Sequence, residues 1–224
     1  MGPIESLALE TLLAVLAPPR CAACDERVRL MTVFCPSCAQ SAAKAIPGEG
    51  PTMAALVYGG AVARAITRMK YEERPDLARP LGDLLWRALE PRRGSLEGAV
   101  VVPVPLHPSR LAERGFNQSA LVARRVARHL RAPFAPRALA RIRETQQQAV
   151  LDRAARVANV AGAFEARSVR GSALVRGRTV LLVDDVATTG ATLDACEKAL
   201  ARGGATGVFR AVLASAPQRV EDVG

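Results

Sequence analysis

The 224-residue sequence predicts an α/β fold, a parallel sheet flanked by helices, preceded by a small cysteine module. Three observations carry this. Short runs at residues 53–58, 99–104, 179–183 and 208–213 read as strands, and 179–183 shows no alternation, as expected of a strand covered on both faces. Stretches of helical spacing separate them, the rhythm of a parallel sheet with crossover helices. Ahead of the first run, Pro47-Gly-Glu-Gly-Pro51 breaks any regular element and marks a boundary, with four cysteines on its far side. The expected layout is an amphipathic helix over 1–20, a cysteine module over 21–46 and the α/β domain over 53–216.

Taken in order, residues 7–17 are apolar but interrupted by Glu10 and lack a basic leader. Neither a signal peptide nor a membrane span is expected there, and the predicted location is cytoplasmic. Cys21, Cys24, Cys35 and Cys38 form two Cys-x-x-Cys pairs ten residues apart. Such spacing lets four thiolates converge on Zn²⁺ in a zinc-ribbon-like module too small for a core of its own. Disulfides are the competing reading, disfavoured where no export signal is found. Four cysteines close the coordination sphere, so this zinc is expected to be structural. Cys196 stands apart and reads as a small buried residue.

Beyond the linker, strand 53–58 leads to a helix with Val62, Ile66 and Met69 on one face, running to Lys70-Tyr71, and Pro75 stops it. A helix over 77–90 follows, with Leu81, Leu84, Leu85 and Leu89 inward and Trp86 on the flank. Strand 99–104 ends in Pro103-Val-Pro105. The next loop places Arg110 and Arg114 past a strand's carboxyl end, where ligands of open α/β sheets bind, and arginine forks suit phosphate oxygens. His107 there is either a general acid or base or a polar surface residue. Asn117 is expected to cap a helix carrying Leu121, Val122, Val126 and Leu130.

The densest chemistry lies in Val180-Leu-Leu-Val-Asp-Asp-Val-Ala-Thr-Thr-Gly-Ala-Thr192. Asp184 and Asp185 are expected to end the strand at the ligand crevice. Ala187, Thr188, Thr189, Gly190 and Ala191 then let the backbone turn tightly and expose N–H groups. The helix starting near Thr192 adds unpaired donors and the positive end of its dipole, which favours an anion. That helix ends at Gly203-Gly204, and the tail from Pro217 is expected to fray.

The net charge of +10 implies attraction to polyanions, and nine arginines against one acid, Glu113, lie between Arg110 and Arg143. With 4% aromatic residues, base-stacking platforms are scarce. Arg124, Arg125, Arg128 and Arg131 read by default as a solvated helix face.

The apolar run, two acids and Thr-Thr-Gly-x-Thr resemble the phosphoribosyl pyrophosphate (PRPP) loop of type I phosphoribosyltransferases. The resemblance implies that fold, with Asp184 and Asp185 holding the ribose hydroxyls and Val186, Ala187, Thr188, Thr189, Gly190, Ala191 and Thr192 holding the 5′-phosphate. A wider pattern is similar to the ComF family. It comprises the cysteine pairs, Lys70-Tyr71, Pro103-Val-Pro105, Arg110, Arg114-Gly-Phe-Asn-Gln118, Arg141-x-Arg143-x-Thr145-x-x-Gln148-x-x-Leu151, Arg156-x-x-Asn159 and Gly162-Ala-Phe164. By this resemblance PRPP binds with Mg²⁺, pyrophosphate is displaced, and Arg110, Arg114, Asp184 and Asp185 carry catalysis. Lys70 either reaches the pyrophosphate or solvates a helix end. Arg143, Gln148, Arg153, Arg156 and Asn159 form either a lid over PRPP or an ordinary surface helix. Thr188 stands where purine-salvage members carry an aspartate, which puts purine salvage in doubt, and no acceptor is legible. The other functions kept open are a PRPP sensor without turnover and a single-stranded-DNA-handling role alongside competence proteins.

Overall fold

The structure is a computed structural model and describes residues 18–45, 52–145, 153–169 and 172–217. Most of the helix expected over 1–20, and the linker, lie outside these residues.

In chain order, the cysteine module contains one short helix, α1 (Pro36–Ala39). Strand β1 (Thr52–Val57) then leads into helix α2 (Gly60–Tyr71). A 3-10 turn at Pro75–Leu77 precedes α3 (Ala78–Leu89), because proline tolerates the first turn of a helix but not its interior. Strand β2 (Val100–Pro103) is followed by α4 (Pro108–Arg114) and α5 (Gln118–Leu130). Next come β3 (Leu139–Arg141), α6 (Arg153–Val160) and β4 (Phe164–Ala166), then the short pair β5 (Ser168–Val169) and β6 (Ser172–Ala173). The chain closes with β7 (Thr179–Ala187), α7 (Ala191–Arg202) and β8 (Gly207–Ser215).

The main sheet is parallel throughout, in the order β1-β8-β7-β2. Its centre explains the unbroken apolar run. Leu181 and Val183 of β7 pack with α2, α3 and α5 in one core, while Val180 and Leu182 pack with α7, β3 and β4 in another. Successive side chains of a strand point to opposite faces, so both parities must be apolar when both faces are covered.

Three local expectations are corrected. Strand β7 does not end at the acids: Asp184 stands in register with Val212 of β8, Val186 with Ala214 and Ala187 with Ser215. The ladder persists because β8 runs to Ser215 and supplies partners. The loop after β2 contains helix α4, capped by His107, whose ring accepts from the Ser109 N–H and contacts Ser109 Oγ at 2.8 Å. The ring thus serves as a helix cap, a use that neither role expected for His107 includes. Trp86 is buried, stacked on His129 with ring centroids 5.6 Å apart.

The cysteine module abuts α2 closely. A Cβ on Gly60, whose φ is +47°, would lie 2.7 to 2.9 Å from atoms of Ser41, so only glycine fits both the conformation and the space. Ser41 Oγ accepts from the Ala61 N–H at 3.1 Å. Arg68 of α2 donates to the Cys21 and Ala22 carbonyls and, with Arg74, to Asp25 Oδ1 at 3.2 and 2.7 Å. Through these contacts the module is tied to the helix that carries Lys70 and Tyr71.

Candidate functional site

A cavity of about 330 Å³ opens at the carboxyl end of the sheet, lined by Lys70, Tyr71 and the β7–α7 segment from Asp184 to Leu193, Thr189 apart. A cleft of about 180 Å³, lined by Arg110, Glu113, Arg114 and Phe116, shares Lys70 and Tyr71 with it. One compartment is therefore built on a loop entering a helix, and its neighbour on two arginines.

The loop's geometry follows from its small residues. Gly190 caps α7 with φ +79°, a left-handed turn that a β-branched residue would adopt only under strain. The helix it opens is twelve residues long, so its first N–H groups and dipole face the cavity. Thr188 is exposed, and Thr189 and Thr192 are half-buried beside it.

The acids are 8% and 4% exposed and are held by donors from other elements. Asp184 Oδ1 accepts from Ser119 Oγ at 2.7 Å and from the Asp185 N–H at 2.9 Å. Asp185 Oδ2 lies 2.7 Å from Lys70 Nζ and accepts from Gln118 Nε2 at 2.9 Å. These donors converge on one oxygen of each carboxylate. Burial, and next the charge of Asp185, push the Asp184 carboxyl up to about 7. Burial pulls Lys70 down, but the Asp185 carboxylate outweighs it and leaves the ammonium raised. One cation thus faces two acids that resist holding both charges together.

Arg114 donates to Gln118 Oε1 at 2.7 Å and lies over the Tyr71 ring at 4.9 Å. Arg110 donates to the Thr145 carbonyl at 3.2 Å, and Arg141 reaches the hydroxyl of the same threonine. Burial, and then the neighbouring Arg110, lower Arg141. Of the residues expected over the ligand, Arg143 donates to the carbonyls of Asn159 and Ala161 at 3.0 and 2.8 Å. Gln148 lies outside the described residues, and only the helical backbone is described for Arg153 and Arg156. Arg124 and Arg128 on α5, and Arg131 just past its end, are exposed, whereas Arg125 pairs with Asp83 at 2.6 Å.

Gln118 closes the Arg114–Gln118 motif without an expected role and Ser119 belongs to no motif, yet both carry a signal. Gln118 shares a helical stripe with Val122 and Val126, and Ser119 with Ala123 and Ala127, all buried. Polar residues on the buried stripe of an amphipathic helix need partners, and here the partners are the acids.

In the module, the sulfurs of Cys21, Cys24, Cys35 and Cys38 lie within 4.8 Å of one another, with Cys24 and Cys35 at 3.6 Å. Four thiolates on one ion at about 2.3 Å would stand about 3.8 Å apart, so the set fits a tetrahedral metal ion with little movement. Burial alone would raise the Cys21 thiol, but backbone N–H groups of Cys35, Ala23 and Cys24 lower it to about 7. Cys196 is fully buried, and its thiol is pushed well above the usual range by burial.

Among the described residues no helix is long and apolar enough to cross a membrane. Residues 117–223 match the phosphoribosyl transferase domain, which together with the parallel sheet and crevice defines the class: a phosphoribosyl transferase-domain protein with a cysteine module. DNA utilization protein YhgH of Escherichia coli is 32% identical over 201 residues, covering 84% of this chain and 86% of its own. Competence protein F of Haemophilus influenzae is 28% identical over 189 residues, covering 83% and 80%. Among solved structures, glutamine PRPP amidotransferase from B. subtilis aligns at 24% identity and a TM-score of 0.42, over 65% of this chain and 30% of that one. The chain belongs to the ComF family, with YhgH and competence protein F.

Proposed function

We propose that the crevice binds PRPP with Mg²⁺ and transfers its phosphoribosyl group to an acceptor, releasing pyrophosphate. The observation that carries this is the arrangement of the acids. Among the described residues the donors named above reach one oxygen of each, and the second oxygen of each is assigned to a ribose hydroxyl, beside an anion-seeking loop. The 5′-phosphate then sits on the Val186–Thr192 turn, and the pyrophosphate faces Lys70, Arg110 and Arg114.

The donor set is all oxygen, which suits Mg²⁺, but Lys70 and Gln118 already occupy Asp185, so the ion fits as one carried in on substrate phosphates. Neutralisation of the leaving group's charge is what Mg²⁺ supplies when bound. The chain's own part is electrostatic and positional. As the bond from the anomeric carbon to pyrophosphate breaks, Arg110, Arg114 and Lys70 stabilise the departing charge, and the acid pair faces a sugar that becomes cation-like. Loss of one such contact is expected to cost about 2–4 kcal/mol of transition-state stabilisation. Thr188 cannot act as a base, so the acceptor must bring a nucleophile that needs no carboxylate at that position.

Titration calorimetry should register PRPP binding with Mg²⁺, abolished by Asp184→Asn combined with Asp185→Asn. Equal heats in the double variant would remove the proposal. Steady pyrophosphate release in a screen of bases and amines separates an enzyme from a sensor that binds without turnover. The four-cysteine set is read as a structural zinc site. The names of the relatives also bring a DNA context to this chain, and the exposed Arg124 and Arg128 are the groups a single strand would meet.

A further inference from the structure

Gln118 is bonded at both ends. Its Oε1 accepts from Arg114 at 2.7 Å and its Nε2 donates to Asp185 at 2.9 Å. The neighbours dictate that orientation, because a guanidinium only donates and a carboxylate only accepts. Glutamine is the side chain of this length with an acceptor on one tip and a donor on the other.

Arg114 lines the arginine cleft and Asp185 the loop cavity. Arg114 also lies over Tyr71, and Lys70 contacts the same Asp185 oxygen that Gln118 does. Since residues 70 and 71 are adjacent in the chain, Tyr71, Arg114, Gln118, Asp185 and Lys70 close a ring of contacts around the junction of the two compartments. Gln118 itself is buried, whereas Arg114 is only half-buried and has further N–H donors for a ligand.

Resting on the PRPP reading, we infer that Gln118 couples the two compartments, so that an anion held by Arg114 and a sugar phosphate held at Asp184 and Asp185 each strengthen binding of the other. An anion on the outer donors of Arg114 fixes the guanidinium and, through it, the amide. The fixed amide holds Asp185 by one oxygen and presents the other to the sugar. The second ligand therefore meets a site already ordered, and the effect is reciprocal.

The test uses the full chain and two probes, pyrophosphate with Mg²⁺ and ribose 5-phosphate. Each is titrated calorimetrically with and without saturating amounts of the other, for wild type, Q118M and Q118E. Repulsion between the two anions is the same in wild type and Q118M, so comparing their coupling factors isolates the amide. The factor is expected to become less favourable by about fivefold or more in Q118M. Q118E keeps an acceptor for Arg114 but turns a third carboxylate toward Asp185. It should weaken ribose 5-phosphate by about tenfold or more beyond any weakening of pyrophosphate, a split that loss of packing would not produce. An unchanged coupling factor in Q118M, or parallel loss of both probes in Q118E, overturns the inference, and either variant carries the test if the other fails to fold. If wild type binds PRPP but shows no Gln118-dependent coupling, only this role falls; if wild type binds neither PRPP nor ribose 5-phosphate, the PRPP reading falls with it.

Discussion

Replacing Asp184 by Asn should stabilise the protein above neutral pH while weakening ligand binding. Asp184 is buried and lies beside a second carboxylate, and its carboxyl is lifted from the 3.8 of a free side chain to about 7. Between those values the folded chain holds a proton that the unfolded chain has released. Stability contributed by this group is therefore complete below about pH 4 and is lost as pH rises through about 7. Each tenfold change in proton affinity is about 1.4 kcal/mol, so the loss at pH 8 is on the order of 4 kcal/mol. Asn preserves an acceptor for the Ser119 hydroxyl and the Asp185 N–H, so the hydrogen bonds survive and the charge does not. Urea unfolding of both proteins at pH 5, 6, 7 and 8 measures the difference, which should widen in favour of Asp184→Asn as pH rises. Parallel stability profiles across that range would refute the claim that buried charge is stored at this site.

Two further outcomes follow from other parts of the molecule. Elemental analysis should find about one zinc per chain, lost in Cys38→Ser, with a lower melting temperature because the cysteines sit at the centre of the module's small cluster with Ala23, Val28, Phe34, Ala42 and Ala61. A chain free of zinc after growth in zinc-supplemented medium would reject the structural zinc site. If the arginine face of α5 meets single-stranded DNA, replacing Arg124 and Arg128 by Ala should flatten the log–log salt dependence by about 1.4, at about 0.7 per phosphate contact. No change in slope would assign that face to solvent.

Several features were readable because they are local. Asn117 accepts from the Ser119 and Ala120 N–H groups as a cap should, since capping depends on two or three residues in sequence. The loop from Val186 to Thr192 and the paired cysteines are likewise motifs of short span. Trp86 is buried and not on the flank because it joins the main core and stacks on His129, 43 positions away and on another helix. The strand end was misjudged because acids usually stop a buried run, whereas the length of β7 is set by the partners β8 offers. Helix α4 is not legible in the sequence because its start rests on a histidine cap, and imidazole is not among the usual capping groups.

By itself the sequence determined the class of fold, the small-residue turn ahead of α7 and the thiol set, since each is written in residues near one another and acts through backbone propensity or fixed ligand spacing. Only the tertiary structure decided what the acids touch. Ser119 and Gln118 meet Asp184 and Asp185 across 65 and 67 positions, and Lys70 arrives from a third element. The helical stripe marks Gln118 and Ser119 as inward-facing, but which groups they meet depends on how helices settle on the sheet and not on any spacing along the chain.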